Sequence, residues 1–240
     1  MLTKNKNYLL IGIYLSVMFI GPMILAPIIM LIRGYSLEYF LKDGFLEDGF
    51  IGVSSIVMFI IYAILCGVLL LLTRDVFKQD FKKIDSCNDF FKQMGIGLAC
   101  TFGAAIFGNT ILSLLGTTDT AANQEAVEAA LASMPFLMII TITFLGPVAE
   151  EIIFRLVLMN LFNWKPIYNV IFSSLIFGLI HVLVGGLIHI IPYFLMGLVF
   201  GYLYLKNNNI WHVTVLHILH NGLTIMIMLL AQFVLNLYYS

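Results

Sequence analysis

Residues 132–155 read ASMPFLMIITITFLGPVAEEIIFR, an apolar run that ends in Glu150-Glu151-Ile152-Ile153-Phe154-Arg155 and continues into further apolar residues. A charged side chain at bilayer depth costs roughly 2.5–3.5 kcal/mol even on lenient insertion scales. Two adjacent carboxylates and an arginine in such a run therefore need a reason, and the default reading of an intramembrane ionisable cluster is a functional site.

The rest of the chain supports the membrane reading. It has 240 residues, of which 61% are hydrophobic and 10% charged, with a mean hydropathy of +1.03. Ordinary soluble domains carry about 25% charged residues. The net charge of −1 lacks the basic face that nucleic acid demands, so no nucleic-acid partner is expected. Three cysteines, Cys66, Cys87 and Cys100, imply no disulfide framework. The apolar stretch after Lys4 and Lys6 exceeds the 7–15 apolar residues typical of a signal-peptide core, and it reads as a retained first span.

Stretches near the ~20 residues that cross a bilayer fall at about 8–32, 51–73, 93–116, 132–163, 166–184, 187–205 and 210–238. Helices are required throughout, because lipid cannot satisfy exposed backbone groups. The fold expected is therefore all-α, a polytopic transmembrane bundle of seven to eight spans. The eighth would arise if Gly222 breaks the last stretch, and Pro22 and Pro27 are expected to kink the first. Residues 1–131 hold three N-terminal spans with their loops, and 132–240 the helical core that carries the site. The mixed segment 33–50 reads as interfacial or as a solvated loop.

Basic residues orient the chain. Segment 74–92 holds five of them, whereas 117–131 holds none and carries Asp119, Glu125 and Glu128. With the N-terminus in the cytoplasm, nine of the twelve basic residues face inward and the C-terminus lies outside. The bilayer expected is the plasma membrane.

Inside the spans, polar residues recur at helical spacing. Arg155 follows Glu151 by one turn on the same face, acid first, which favours an ion pair. Glu150 points about 100° away without such a partner, which leaves it free for acid–base work. Phe177 and His181 are one turn apart on the next span, and His217 and Asn221 one turn apart on the last. The latter two offer donors aimed the same way, as stabilisation of an oxyanion requires, or as ordinary interhelical hydrogen bonding would. At ~1.5 Å per residue, Glu150, His181 and Asn221 lie roughly 20, 22 and 18 Å above the cytoplasmic turns, and His217 lower, at about 12 Å. His189 and His212 fall outside the pattern and read as structural or interfacial. Gly197 and Gly201 form a stripe that permits close helix approach.

The ordered set Glu150-Glu151-x-x-x-Arg155, Phe177-x-x-x-His181 and His217-x-x-x-Asn221 resembles the CPBP family of type II CAAX prenyl endopeptidases and Abi proteins, which includes bacteriocin-processing and immunity enzymes. The stretch from Phe194 through Gly197 to Gly201 is similar to that family's glycine motif. The likeness covers about residues 133–230. Leu156 departs from it, since many members carry glycine there, and the expected consequence is for packing.

The resemblance implies a glutamate-dependent intramembrane endopeptidase acting on a membrane-associated peptide or protein. Glu150 and His181 would activate water, His217 and Asn221 would stabilise the oxyanion, and Glu151, Arg155 and Phe177 would support them. No metal or other cofactor is expected. A zinc protease is the alternative, with three ligands drawn from Glu150, Glu151, His181, His217 and His220, although no His-Glu-x-x-His motif is present. Two other readings compete: a non-catalytic immunity or scaffold protein that binds a peptide in the same cavity, and an ion-coupled transporter with Glu150 and His181 as a proton relay. The latter lacks the duplicated halves often seen in transporters.

Overall fold

With no water to pair backbone groups, an apolar chain of this composition buries its amides in helices. A computed structural model describes residues 2–34, 48–84, 86–117, 119–183 and 186–239, and among these it contains helices and turns but no strand. The helices are α1 (Lys4–Ile32), α2 (Asp48–Phe81), α3 (Cys87–Leu114), α4 (Ala122–Ser133), α5 (Pro135–Asn160), α6 (Pro166–His181), α7 (Ile190–Asn207) and α8 (Ile210–Tyr239). Local chemistry marks several ends. Thr3 and Ser86 accept the amides of Lys6 and Asp89 at the starts of α1 and α3. Pro135 and Pro166 open α5 and α6, where a missing N–H is harmless. Asn208 takes the left-handed conformation (φ 44°) between α7 and α8, a turn that asparagine tolerates.

The all-α polytopic bundle is as expected, with differences in detail. Six helices are long and apolar enough to cross a membrane, and α6, with 16 residues, is a shorter apolar one. The chain is thus an integral membrane protein. No eighth span forms, because α8 runs unbroken through Gly222. One glycine costs a helix only about 1 kcal/mol, which a long packed apolar helix absorbs. Helix α1 carries Pro22 and Pro27 within its length. Most of the acidic segment 117–131 forms α4, and α2 and α3 extend into 74–92. Of segment 33–50, read above as interfacial or as a solvated loop, residues 35–47 lie outside the described ones.

One end of the bundle is tied by polar contacts between helix termini. The Asp80 carboxylate, 4% exposed, accepts the Ile210 amide at 3.0 Å, and the Asn209 side chain donates to the Asp80 carbonyl at 2.7 Å. The Trp211 indole donates to the Phe77 carbonyl at 2.8 Å. A carboxylate at the start of α8 also meets the positive end of that helix. At the same end Asn160 reaches the Tyr204 hydroxyl, joining the ends of α5 and α7.

The main apolar cluster joins Leu10 and Tyr14 of α1 and Leu65 and Leu69 of α2 to Ile152 and Phe154 of α5, Phe177 of α6, Phe200 of α7 and Leu216 of α8. The core is continuous from the N-terminal helices into 132–240. Close approach at α7 needs small residues: a Cβ on Gly197 would sit 3.1 Å from the Ser174 Cα, and one on Gly201 2.9 Å from a Val170 methyl. At the α3–α7 crossing, a Cβ on Gly108 would lie 2.6 Å from the Pro192 Cα, whereas one on Gly103 would meet nothing within 4 Å. Gly108→Val is therefore expected to destabilise the protein by about 1–3 kcal/mol, the usual range for overpacking. Gly103→Val on the same helix serves as the control, and thermal unfolding in detergent compares the two. Equal losses would mean that the α3–α7 contact is not tight.

Candidate active site

Helix α5 is irregular where it carries the charges. Wide turns at Thr141–Leu145 and Ile152–Val157 flank a short regular piece, Gly146–Glu151. Such bulges are frequent at functional sites. In the first, the Gly146 amide bonds the Thr141 carbonyl, five residues back. In that register the Ile142 carbonyl would look to residue 147, a proline without an N–H. Asn221 of α8 fills the vacancy, its side-chain amide donating to the Ile142 carbonyl at 2.9 Å. Around the second bulge, the Ser173 hydroxyl donates to the Phe154 carbonyl at 2.6 Å, and Asn160 donates to the Leu156 carbonyl at 3.1 Å.

Glu151 and Arg155 are both fully buried and paired as their spacing predicts, with Arg155 Nε 3.1 Å from Glu151 Oε2. The N–H is not aligned on that oxygen, so this is an ion pair rather than a directed hydrogen bond. Arg155 Nη1 donates to the Ser173 hydroxyl at 2.7 Å. Aromatic rings close the rest of the guanidinium's surroundings: its carbon lies 5.3 Å from the Phe177 centroid and 5.9 Å from those of Phe154 and Phe200.

The other oxygen of Glu151 reaches α8. His217 Nδ1 donates to Glu151 Oε1 at 2.7 Å, which turns Nε2 toward Glu150, 3.8 Å from its Oε2. Phe200 stacks on the His217 ring at 4.5 Å. On α6, His181 Nδ1 donates to the Phe177 carbonyl at 2.7 Å. The proton belongs on Nδ1 because a carbonyl only accepts, so in the neutral ring Nε2 keeps a lone pair.

Glu150, Phe177, His181, His217 and Asn221 all line one cavity of about 990 Å³, as do His220 and the previously set-aside His189. These side chains therefore share one wall, and packing between helices supplies partners beyond the Glu151–Arg155 pair that spacing gives. His217 and Asn221 do not act as an isolated pair: one is held by Glu151 and the other by a backbone carbonyl. Nor does His217 lie well below Glu150. Helix α5 ends at Asn160 rather than near Lys165, so the climb to Glu150 is about 15 Å, and wide turns shorten it further. Among the described residues, no group of three His, Cys, Asp or Glu side chains is arranged to hold a metal ion.

Sequence reading missed several contributors. Ser173 sits one turn before Phe177, a spacing that could have flagged it. Tyr62 of α2 lines the cavity near Gly146 and Glu150. Tyr193 of α7 stacks on His181 at 4.7 Å and receives a hydrogen bond from Asn123 of α4 at 3.3 Å. Nothing in the spacing of Tyr62, Tyr193 or Asn123 signals these contacts.

Comparison with known proteins adds an independent line. Residues 132–223 match the family model described as type II CAAX prenyl endopeptidase Rce1-like. A Bacillus subtilis (strain 168) protein named "Putative membrane peptidase YdiL" is 30% identical over 130 residues, covering 53% of this chain and 52% of its own length. An uncharacterized protein of Mycoplasma capricolum is 26% identical over 158 residues, covering 60% of this chain and 47% of its own length. The chain thus spans about half the length of the curated relatives it matches. No solved structure matches it. The segment that resembles the Rce1-like type II CAAX prenyl endopeptidase model, residues 132–223, holds Glu150, Glu151 and Arg155 together with His181, His217 and Asn221 of the cavity wall.

Proposed function

We propose that this chain is a membrane-embedded endopeptidase that hydrolyses a peptide or protein segment at the bilayer without a metal. The observation that carries the reading is the convergence of Glu150, His181, His217 and Asn221, from three helices, on the wall of one cavity. The names of the matched family and of the Bacillus relative support it.

In this reading Glu150 takes a proton from a water whose oxygen attacks the scissile carbonyl carbon, and His181 Nε2 orients that water as an acceptor. The carbonyl electrons move to oxygen, giving a tetrahedral oxyanion. Protonated His217 donates to it through Nε2, its charge balanced by Glu151 at Nδ1. An amide NH2 carries two hydrogens, so Asn221 can bond the Ile142 carbonyl with one and the oxyanion with the other. Collapse breaks the C–N bond, and the departing amine takes its proton from Glu150. Glu151, Arg155 and Phe177 hold this arrangement without touching the substrate.

We also place the N-terminus in the cytoplasm. The ends of α2 and α7, with Lys78 and Lys206, lie at the end of the bundle where α8 begins, and the positive-inside rule puts such an end inward. The cavity then opens toward the outer face of the plasma membrane.

The test is mass spectrometry of membrane peptides incubated with purified wild type and Glu150→Gln, with and without a zinc chelator. Loss of a general base costs about 10²–10⁴-fold in rate, so fragments are expected from wild type only, whether or not chelator is present. Chelator-sensitive fragments would transfer the reading to a zinc protease. Retention of peptide without cleavage would favour the binding-protein reading.

Arg155 supplies a stability prediction. Arg155→Leu breaks a fully buried ion pair and leaves Glu151 with His217 as its remaining partner, and it is expected to cost about 3–5 kcal/mol. The exposed Lys206→Leu should stay within about 0.5 kcal/mol of wild type. Thermal unfolding in detergent reads both, and comparable small effects would remove Arg155 from its supporting role.

A further inference from the structure

Helix α4 closes the cavity at the end away from the Asp80 ties, and its two halves are held differently. Near its C-terminus, Leu131 is buried against Met138 and Ile225. At its N-terminus, Ala121 provides no side-chain cap, and the contacts there are polar and long. Asn123 Nδ2 donates to the Tyr193 hydroxyl at 3.3 Å, and Gln124 Nε2 to the Met228 sulfur at 3.6 Å. Just ahead, Asp119 lies 3.5 Å from His189. Between α4 and α5 stands a single non-helical residue, Met134 (φ −138°, ψ 66°). An element anchored by apolar burial at one end and by a few weak polar bonds at the other belongs to the low-stability part of a structure.

What the N-terminal half touches gives this mobility a consequence. Asn123 and Gln124 line the cavity, and so does Tyr193. The Tyr193 ring stacks on the His181 imidazole, with an interplanar angle of 23°. On its own helix His181 is held by Phe177, through the carbonyl and through a ring contact at 4.4 Å. The Tyr193 hydroxyl thus joins the wall over the cavity to the side chain whose Nε2 orients the water.

We propose that α4 is a lid hinged at Met134, and that the Asn123–Tyr193 hydrogen bond transmits its closure to His181. Asn123 and Tyr193 are then positioning residues. With the lid open, a peptide enters and the Tyr193 ring is free to turn away from the imidazole. With it closed, bulk water is excluded and His181 is locked in its working orientation, as lids in other active sites do. The proposal rests on the reading of His181 as the residue that orients water.

The experiment has one arm that does not depend on turnover. Thr224 lines the cavity one turn beyond His220. Thr224→Cys is placed in full-length protein carrying Cys87→Ser and Cys100→Ser, and labelling by a water-soluble maleimide is timed. The reaction of buried Cys66, measured in the parent without Thr224→Cys, is subtracted. Asn123→Ala and Tyr193→Phe should each speed labelling by about ten-fold, the equivalent of one hydrogen bond. The double variant should go no further, because both changes remove the same bond. Unchanged rates would overturn the lid, and rates that multiply in the double variant would overturn the coupling through this bond.

The second arm is peptide turnover. Asn123→Ala and Tyr193→Phe should lower kcat by about ten-fold with KM nearly unchanged. Tyr193→Leu, which removes the ring, should lower it further and shift the pH profile of kcat/KM. A Tyr193→Leu enzyme with wild-type kcat and pH profile would overturn the positioning role. A wild type that cleaves no peptide would sink the peptidase reading, while the labelling arm still decides the lid.

Discussion

A guanidinium sealed from solvent is the constraint around which this protein is built. Arg155 has no exposed surface, and burial of an ion without compensation costs several kcal/mol. Its compensation comes from three helices: Glu151 one turn away on α5, the Ser173 hydroxyl and the Phe177 ring from α6, and the Phe200 ring from α7. Glu151 then passes the constraint to α8 by accepting from His217. Rotation of any of these helices about its axis would strand a charge, so the pair fixes the rotational settings that bring α6 and α8 side chains to the cavity.

The second constraint is the backbone. The wide turns of α5 re-aim Glu150 and Glu151 but leave carbonyls in need of donors, which lipid does not supply. Asn221, Asn160 and Ser173 provide them. Asn221 therefore holds α8 against α5 as well as lining the cavity. The same economy appears at Ser173, which accepts from Arg155 and donates to a backbone carbonyl through one oxygen.

The two ends of the bundle differ in how they are held. At one, Asp80, Asn209 and Trp211 bind α2 to α8 through short bonds at buried atoms. At the other, the start of α4 touches α7 and α8 through long polar contacts. The lid proposed above would open at the second of these ends and leave the first closed. Apolar burial along α4 is concentrated toward its C-terminus, where Leu131 packs on Met138 and Ile225 with Val127 and Ala130 beside them.

The apolar runs by themselves determined the helical class and the membrane spans, because a bilayer leaves a chain no other way to pair its amides. Spacing by one turn likewise determined that Glu151 faces Arg155 and that Phe177 neighbours His181, since a helix brings i and i+4 together whatever surrounds it. Tertiary structure decided the rest. That His217 meets Glu151 depends on how α8 is turned against α5, and Asn221 is drawn to Ile142 because a wide turn sets that carbonyl opposite Pro147. Depth counted from Lys165 set Glu150 too far above His217, because α5 ends at Asn160. Tyr193, Phe200 and Ser173 entered the site through contacts between helices, and so did Asn123 of α4. Local periodicity carries no information about the rotation and depth of one helix relative to another, and those are set by the packing of the whole bundle around one buried charge.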